Sequence, residues 1–176
     1  MDDPGFYPFY VMVGNPHVCG GMVVSLDPPT IITAAHCVAG AGPSNSYFIG
    51  YGDTDRRRHV INPIVDWTIH PLYQTNNTVD MRYDVAIVRL KDPFGTNRHV
   101  SRVAIWPPHT PLPPFPRGSL MGHGYTGYDE PEAMVLQRAT LDITKFTPGA
   151  LDVIEAVGDN DTMACHGDSG IVFCSI

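Results

Sequence analysis

No apolar run in this 176-residue chain approaches the ~18 residues that a membrane-spanning helix needs, so no such span is expected and no membrane partner with it. Positive charge is also scarce. Lys and Arg number 11 against 18 Asp and Glu, a formal net charge of −7, which argues against nucleic acid and anionic lipid surfaces because both reward a basic excess. The start, Met1-Asp2-Asp3, has no basic region and no small-residue cleavage site, so it does not read as a signal peptide. Cysteines are only 4, namely Cys19, Cys37, Cys165 and Cys174, a number that fits either a reduced cytosolic protein or a disulfide-bonded secreted one. At 16% charged and 43% hydrophobic residues, the composition is that of a globular chain able to bury a core in one large domain or two small ones.

What the sequence does have is a series of short segments rich in Val, Ile, Tyr and Phe, set apart by Gly, Pro, Asn and Asp clusters. FYVMV, GMVVSL, TIITAA, SYFIGY, HVINPIV, DVAIVRL, RVAIW, SLMGHG, MVLQRATLDI and GIVFCSI are strand-length and too often broken to be helices. The fold is therefore expected to be mostly β. Residues 107–118, PPHTPLPPFPRG, carry six prolines and read as an extended connector. This places a first β unit at 1–101, a Pro-rich connector at 102–117 and a second β unit at 118–176. One helix is predicted over 147–158, with Thr147 as cap, Pro148 in the first turn, apolar residues at 151, 154 and 157, and Gly158 as stop. The run Arg56-Arg57-Arg58 lies among Asp53, Asp55 and His59 and reads as a solvated loop.

Hydrolysis of an amide through a serine requires a nucleophile, a base to take its proton, a carboxylate to orient the base, and donors for the developing oxyanion. Ser169 lies in Gly167-Asp168-Ser169-Gly170, where glycines permit a tight turn that exposes Oγ and aims the amides of Gly167 and Ser169 at one point. His36 lies in TAAHC, and Asp84 opens the apolar segment DVAIVRL. Each signal is common by itself, and their combination in the order His, Asp, Ser is not. A metal site from Cys165, His166 and Cys174 lacks the usual ligand spacing, so no metal and no organic cofactor is expected.

With PGFYPF, VCGGMVVS, ITAAHC, IHPLY, DVAIVRL, GHG, VLQRATLDI and ACHGDSG in this order, the chain resembles the chymotrypsin and trypsin family of serine endopeptidases along essentially its whole length. The resemblance implies an all-β fold of two antiparallel six-stranded β-barrels, the second incomplete here, with the site between them. It implies His36 as general base, Asp84 as its orienting carboxylate, Ser169 as nucleophile, and Gly167 and Ser169 as the oxyanion hole. Cys19 and Cys37 match a family disulfide, which points to a secreted, extracellular protein, and the sequons at Asn76 and Asn160 are compatible with that but short enough to occur by chance. Protein or peptide substrates follow, with protein inhibitors as further partners. Met163 falls where trypsin-like members carry the aspartate that selects basic side chains, so an apolar or small side chain is expected instead, and His166 is expected to border the cleft.

The chain also departs from the family. An Ile-Val-Gly-Gly-like start is not seen before Asp2, and its ammonium is the family's partner for the aspartate at position 168. Asp168 is therefore expected to be a costly buried charge unless it finds another donor. The family continues beyond the position of Ile176, which leads to the expectation of a chain shortened at both ends, with open sheet edges and poor folding in isolation. Ile171 replaces a usual glycine, and His123 stands where the family usually has Trp. An inactive relative used as a binding module, or a non-functional fragment, is the alternative reading.

Overall fold

The structure, a computed structural model, describes residues 7–14, 19–40, 46–73, 83–95, 99–107, 110, 117–127, 129–147, 153–158, 163–170 and 174–175. Six strands close into an antiparallel barrel: β1 (Tyr10–Gly14), β2 (Cys19–Leu26), β3 (Pro29–Thr33), β4 (Phe48–Tyr51), β5 (Val60–Ile69) and β6 (Ala86–Leu90), in the order β1-β2-β3-β6-β5-β4. Period-two alternation explains the inward and outward faces. In β6, Ala86, Val88 and Leu90 are buried while Ile87 and Arg89 face out. Register shifts between Val23 and Ser25 and between Ile64 and Asp66 bend β2 and β5, as closure of so small a barrel requires. The interior is filled by branched side chains, with Val11, Val23, Ile31, Ile49 and Val88 all at 0% exposure.

The second unit is a four-stranded antiparallel sheet of β7 (Arg117–Gly122), β8 (Gln137–Thr147), β9 (Val153–Gly158) and β10 (Cys174–Ser175), in the order β10-β7-β8-β9. The fold is thus nearly all-β, with one closed six-stranded barrel and a partial second sheet, as the sequence led us to expect. Met121 of β7 and Leu136, just before β8, pack against Tyr10 of β1, so the smaller core is shared with the barrel. Around it, Arg56 N–H donates to Met134 O at 3.0 Å and Leu136 N–H to Thr54 O at 2.8 Å, lacing the barrel's 53–58 loop to the second unit.

Two sequence expectations are corrected. The helix predicted over 147–158 is absent among the described residues of that span: Thr147 ends β8, and Val153–Gly158 is β9, paired with β8 from Leu141↔Gly158 to Thr147↔Val153. The 151, 154, 157 spacing fits a helix face, but Val153, Ile154 and Val157 are β-branched and the open edge of β8 offers an antiparallel ladder, interrupted by one register shift between Ile143 and Lys145, so pairing wins over periodicity. RVAIW is not a strand either. Residues 102–106 lie along the barrel with Val103 N–H donating to Val23 O at 2.9 Å, and Pro107 supplies no further donor.

The arginine run forms a single 3-10 turn, Arg56–Arg58, capped by Asp55, whose side chain accepts from Arg57 N–H. Each guanidinium has a carboxylate: Arg56 with Glu132 at 2.8 Å, Arg57 with Asp55 at 2.6 Å and Arg58 with Asp53 at 2.7 Å. Asp55 is held well below the usual carboxylate range by its hydrogen bonds from Arg57. The sequons at Asn76 and Asn160 and the substitution at Ile171 lie outside the described residues.

Candidate active site

His36 begins the one-turn helix α1 (His36–Ala39), which starts after Ala34 and Ala35, the two residues that follow β3. The small residues before it are required by packing, since Ala35 is at 0% exposure and Val38 in the same turn at 1%. A Cys19–Cys37 disulfide, with Cα atoms 6.3 Å apart, ties this turn to the start of β2. The pairing expected from sequence is present. His36, Cys19 and Cys37 also bring three metal-type ligand atoms within 4.8 Å, but the two sulfurs are bonded to each other and offer no thiolate.

Asp84 sits two residues before β6 and reaches the same turn. Its Oδ1 accepts from the backbone amide of His36 at 2.9 Å, and its Oδ2 accepts from His36 Nδ1–H at 2.7 Å. With Nδ1 donating to a carboxylate, the neutral ring carries its lone pair on Nε2. The hydrogen bond to Asp84 raises the His36 pKa above its ordinary value, burial opposing and the charge of Asp84 assisting. Burial pushes Asp84 upward, but hydrogen bonds from the ring and amide of His36 and the amide of Ala35 leave it below the usual carboxylate range. The carboxylate side chain is 15% exposed and the imidazole 41%, so the pair has a shielded end and an open end.

Sequence reasoning passed over what presents Asp84. Tyr83 adopts φ 62°, a left-handed conformation that costs a non-glycine residue about 1–2 kcal/mol, and its ring stacks on His70 with centroids 4.8 Å apart. No pattern in the residue string marks a strained tyrosine.

Ser169 enters from the second unit. Its carbonyl accepts from Gly20 N–H of β2 at 2.7 Å, and Gly170 follows with φ +79°. A Cβ at Gly170 would meet Gly20 O at 2.4 Å and Thr33 Oγ1 at 2.5 Å, so the motif's last glycine lets this turn lie against the barrel. Gly167 has φ +93°. The result is a small cavity of about 130 Å³ lined by Cys19, His36, Cys37, Tyr47, His166, Gly167 and Ser169. Six of the residues singled out in the sequence, Cys19, His36, Cys37, His166, Gly167 and Ser169, therefore share one opening, with Asp84 behind His36.

Met163 is not among them. It is 75% exposed and lines a separate cavity of about 540 Å³ together with Gly124, Cys165 and Asp168. Asp168 is half-buried there and has found donors, Gly124 N–H to Oδ1 at 2.8 Å and Cys165 N–H to Oδ2 at 3.0 Å. Those two amides meet the need that the sequence raised for this charge. Cys165 is an exposed free thiol, and the side chain of Cys174 lies outside the described residues.

Known proteins place the chain further. Residues 3–171 match the family model described as Trypsin. Among curated proteins, ovochymase of Halocynthia roretzi is 29% identical over 166 residues, covering 90% of this chain and 10% of the ovochymase. The chain thus spans about a tenth of the length of that relative. Among solved structures, neuropsin, described as a serine protease expressed in the limbic system of mouse brain, superposes with a TM-score of 0.81 at 21% identity, covering 99% of this chain and 80% of neuropsin.

Proposed function

The chain belongs to the trypsin family of serine proteases, and from that premise we propose that it hydrolyses peptide bonds in proteins through an acyl-enzyme formed on Ser169. The observation that carries the reading is the 2.7 Å hydrogen bond from His36 Nδ1 to Asp84 Oδ2 behind an imidazole that shares its cavity with Ser169. Asp84 selects the tautomer in which Nε2 is the base. As Ser169 Oγ attacks the carbonyl carbon of the substrate, Nε2 takes its proton, and the imidazolium is stabilised by the carboxylate behind it. The amides of Gly167 and Ser169 serve as donors to the oxyanion of the tetrahedral intermediate. His36 then returns the proton to the leaving amine, and a water molecule repeats the sequence to free the enzyme.

Protein substrates and protein inhibitors are the partners this chemistry calls for. The Cys19–Cys37 disulfide supports an oxidising, extracellular location. The test is labelling by a fluorophosphonate probe, with the fold of each sample verified by circular dichroism. Labelling of the parent chain and none of Ser169→Ala supports the proposal. A folded parent that does not label sinks it and directs attention to a binding role.

A further inference from the structure

Two histidines meet where the two β units touch. His59 follows the 3-10 turn on the barrel side, and His123 follows β7 on the other. Their rings pack edge to face with centroids 5.5 Å apart at 75°, and Tyr10 of β1 lies against His123 with centroids 5.7 Å apart. His59 Nε2–H donates to Asp53 O at 2.9 Å, and His123 Nδ1–H donates to Ala133 O at 3.0 Å. A carbonyl can only accept, so both neutral tautomers are fixed, leaving lone pairs on His59 Nδ1 and His123 Nε2. Both nitrogens are buried without a hydrogen-bond partner among the described residues, as is the Tyr10 hydroxyl.

A proton on either ring would therefore create a buried N–H with no acceptor, next to a second imidazole. The charged and titratable groups facing the pair are Asp53, Asp55 and Arg56 from the barrel loop and Tyr10 from β1, with Asp168 of the second unit acting on Tyr10. Asp53 and Asp55 favour a proton, but each is engaged by its own arginine, and Arg56 opposes one. Burial dominates, holding His59 below its ordinary value and pushing His123 down to about 4.

We propose that His59 and His123 form an acid-released latch between the two β units, closed while both rings are neutral and opened when either takes up a proton. The bonds it secures are those from Arg56 N–H to Met134 O and from Leu136 N–H to Thr54 O, with the Arg56–Glu132 ion pair beside them. His36 and Asp84 ride on the barrel and Ser169 on the other unit, so an open latch separates them. The effect on activity rests on the hydrolase reading, whereas the latch itself is read without it.

Residue-resolved hydrogen exchange on the full chain tests the idea, using Ser169→Ala to prevent self-cleavage. After correction for intrinsic exchange, protection at the Arg56 and Leu136 amides is expected to fall at least about 30-fold between about pH 7.5 and about pH 5, the ratio for the His123 site alone moving from about 4 closed to about 6.5 open. Val88, inside the barrel ladder, should hold. In the double variant His59→Phe with His123→Phe the fall should vanish, and His59→Gln with His123→Gln serves if the phenylalanine variant does not fold. Protection that is unchanged with pH, that falls equally at Val88, or that still falls in the double variant overturns the proposal. Because the readout is not activity, its failure is separate from failure of the probe-labelling experiment.

Discussion

Gly124 donates its amide to Asp168 Oδ1 at 2.8 Å, and a Cβ on Gly124 would stand 2.5 Å from that same oxygen. The contact ties the segment just after β7 to the residue before Ser169, across 44 positions of sequence. Gly124→Ala must push the carboxylate off the amide and shift the Cys165–Ser169 turn. Activity on a chromogenic peptide is expected to drop about 100-fold, the scale for displacing a reacting group by about 1 Å. A variant within about threefold of the parent would show that the turn does not depend on this bond.

The hydrogen bond from His36 to Asp84 sets a pH dependence. The base must be neutral to act, and its pKa is raised, so kcat/KM should climb with pH through a midpoint above the ordinary histidine value of 6.5. For stability the sign is opposite: the protonated pair contributes fully below about 6.5 and its contribution is lost as pH rises through the folded value. Asp84→Asn should lower the midpoint and cut the plateau by about 10⁴-fold, the scale for a base held in the wrong tautomer. A profile whose midpoint is unmoved in Asp84→Asn would disconnect the two residues.

Gly170 cannot carry a side chain against Thr33. Its φ of +79° already disfavours other residues, and the added carbon would also lie 3.0 Å from Ala34 N. Gly170→Ala is expected to cost at least about 3 kcal/mol in urea unfolding, from left-handed strain and overpacking together. A cost under about 1 kcal/mol would mean that the turn relaxes away from β2 and β3.

The Cys19–Cys37 bond closes a loop with a sequence separation of 18. Replacing both cysteines by alanine should reduce stability by about 3 kcal/mol in the chain-entropy account, seen as a lower urea midpoint. No change in midpoint would assign the positioning of α1 to Val38 and Asp84 alone.

The strands, the order of His36, Asp84 and Ser169, and the need for glycine around the serine were legible in the residue string because they rest on local chemistry: alternation of side chains, turn residues, and short motifs that repeat fixed spacings. Where a local pattern fitted two structures, tertiary pairing chose between them, as at Val153–Gly158, where the edge of β8 turned a helical spacing into a strand. Other features had no local signature at all. The donors of Asp168, the stacking of His70 on the strained Tyr83, and the meeting of His59 with His123 join residues from different segments. Sequence alone thus determined which side chains this protein carries and the strands they favour. Closure of the barrel and its docking on the second sheet decided which of them meet, because distance and burial exist only once the chain has packed.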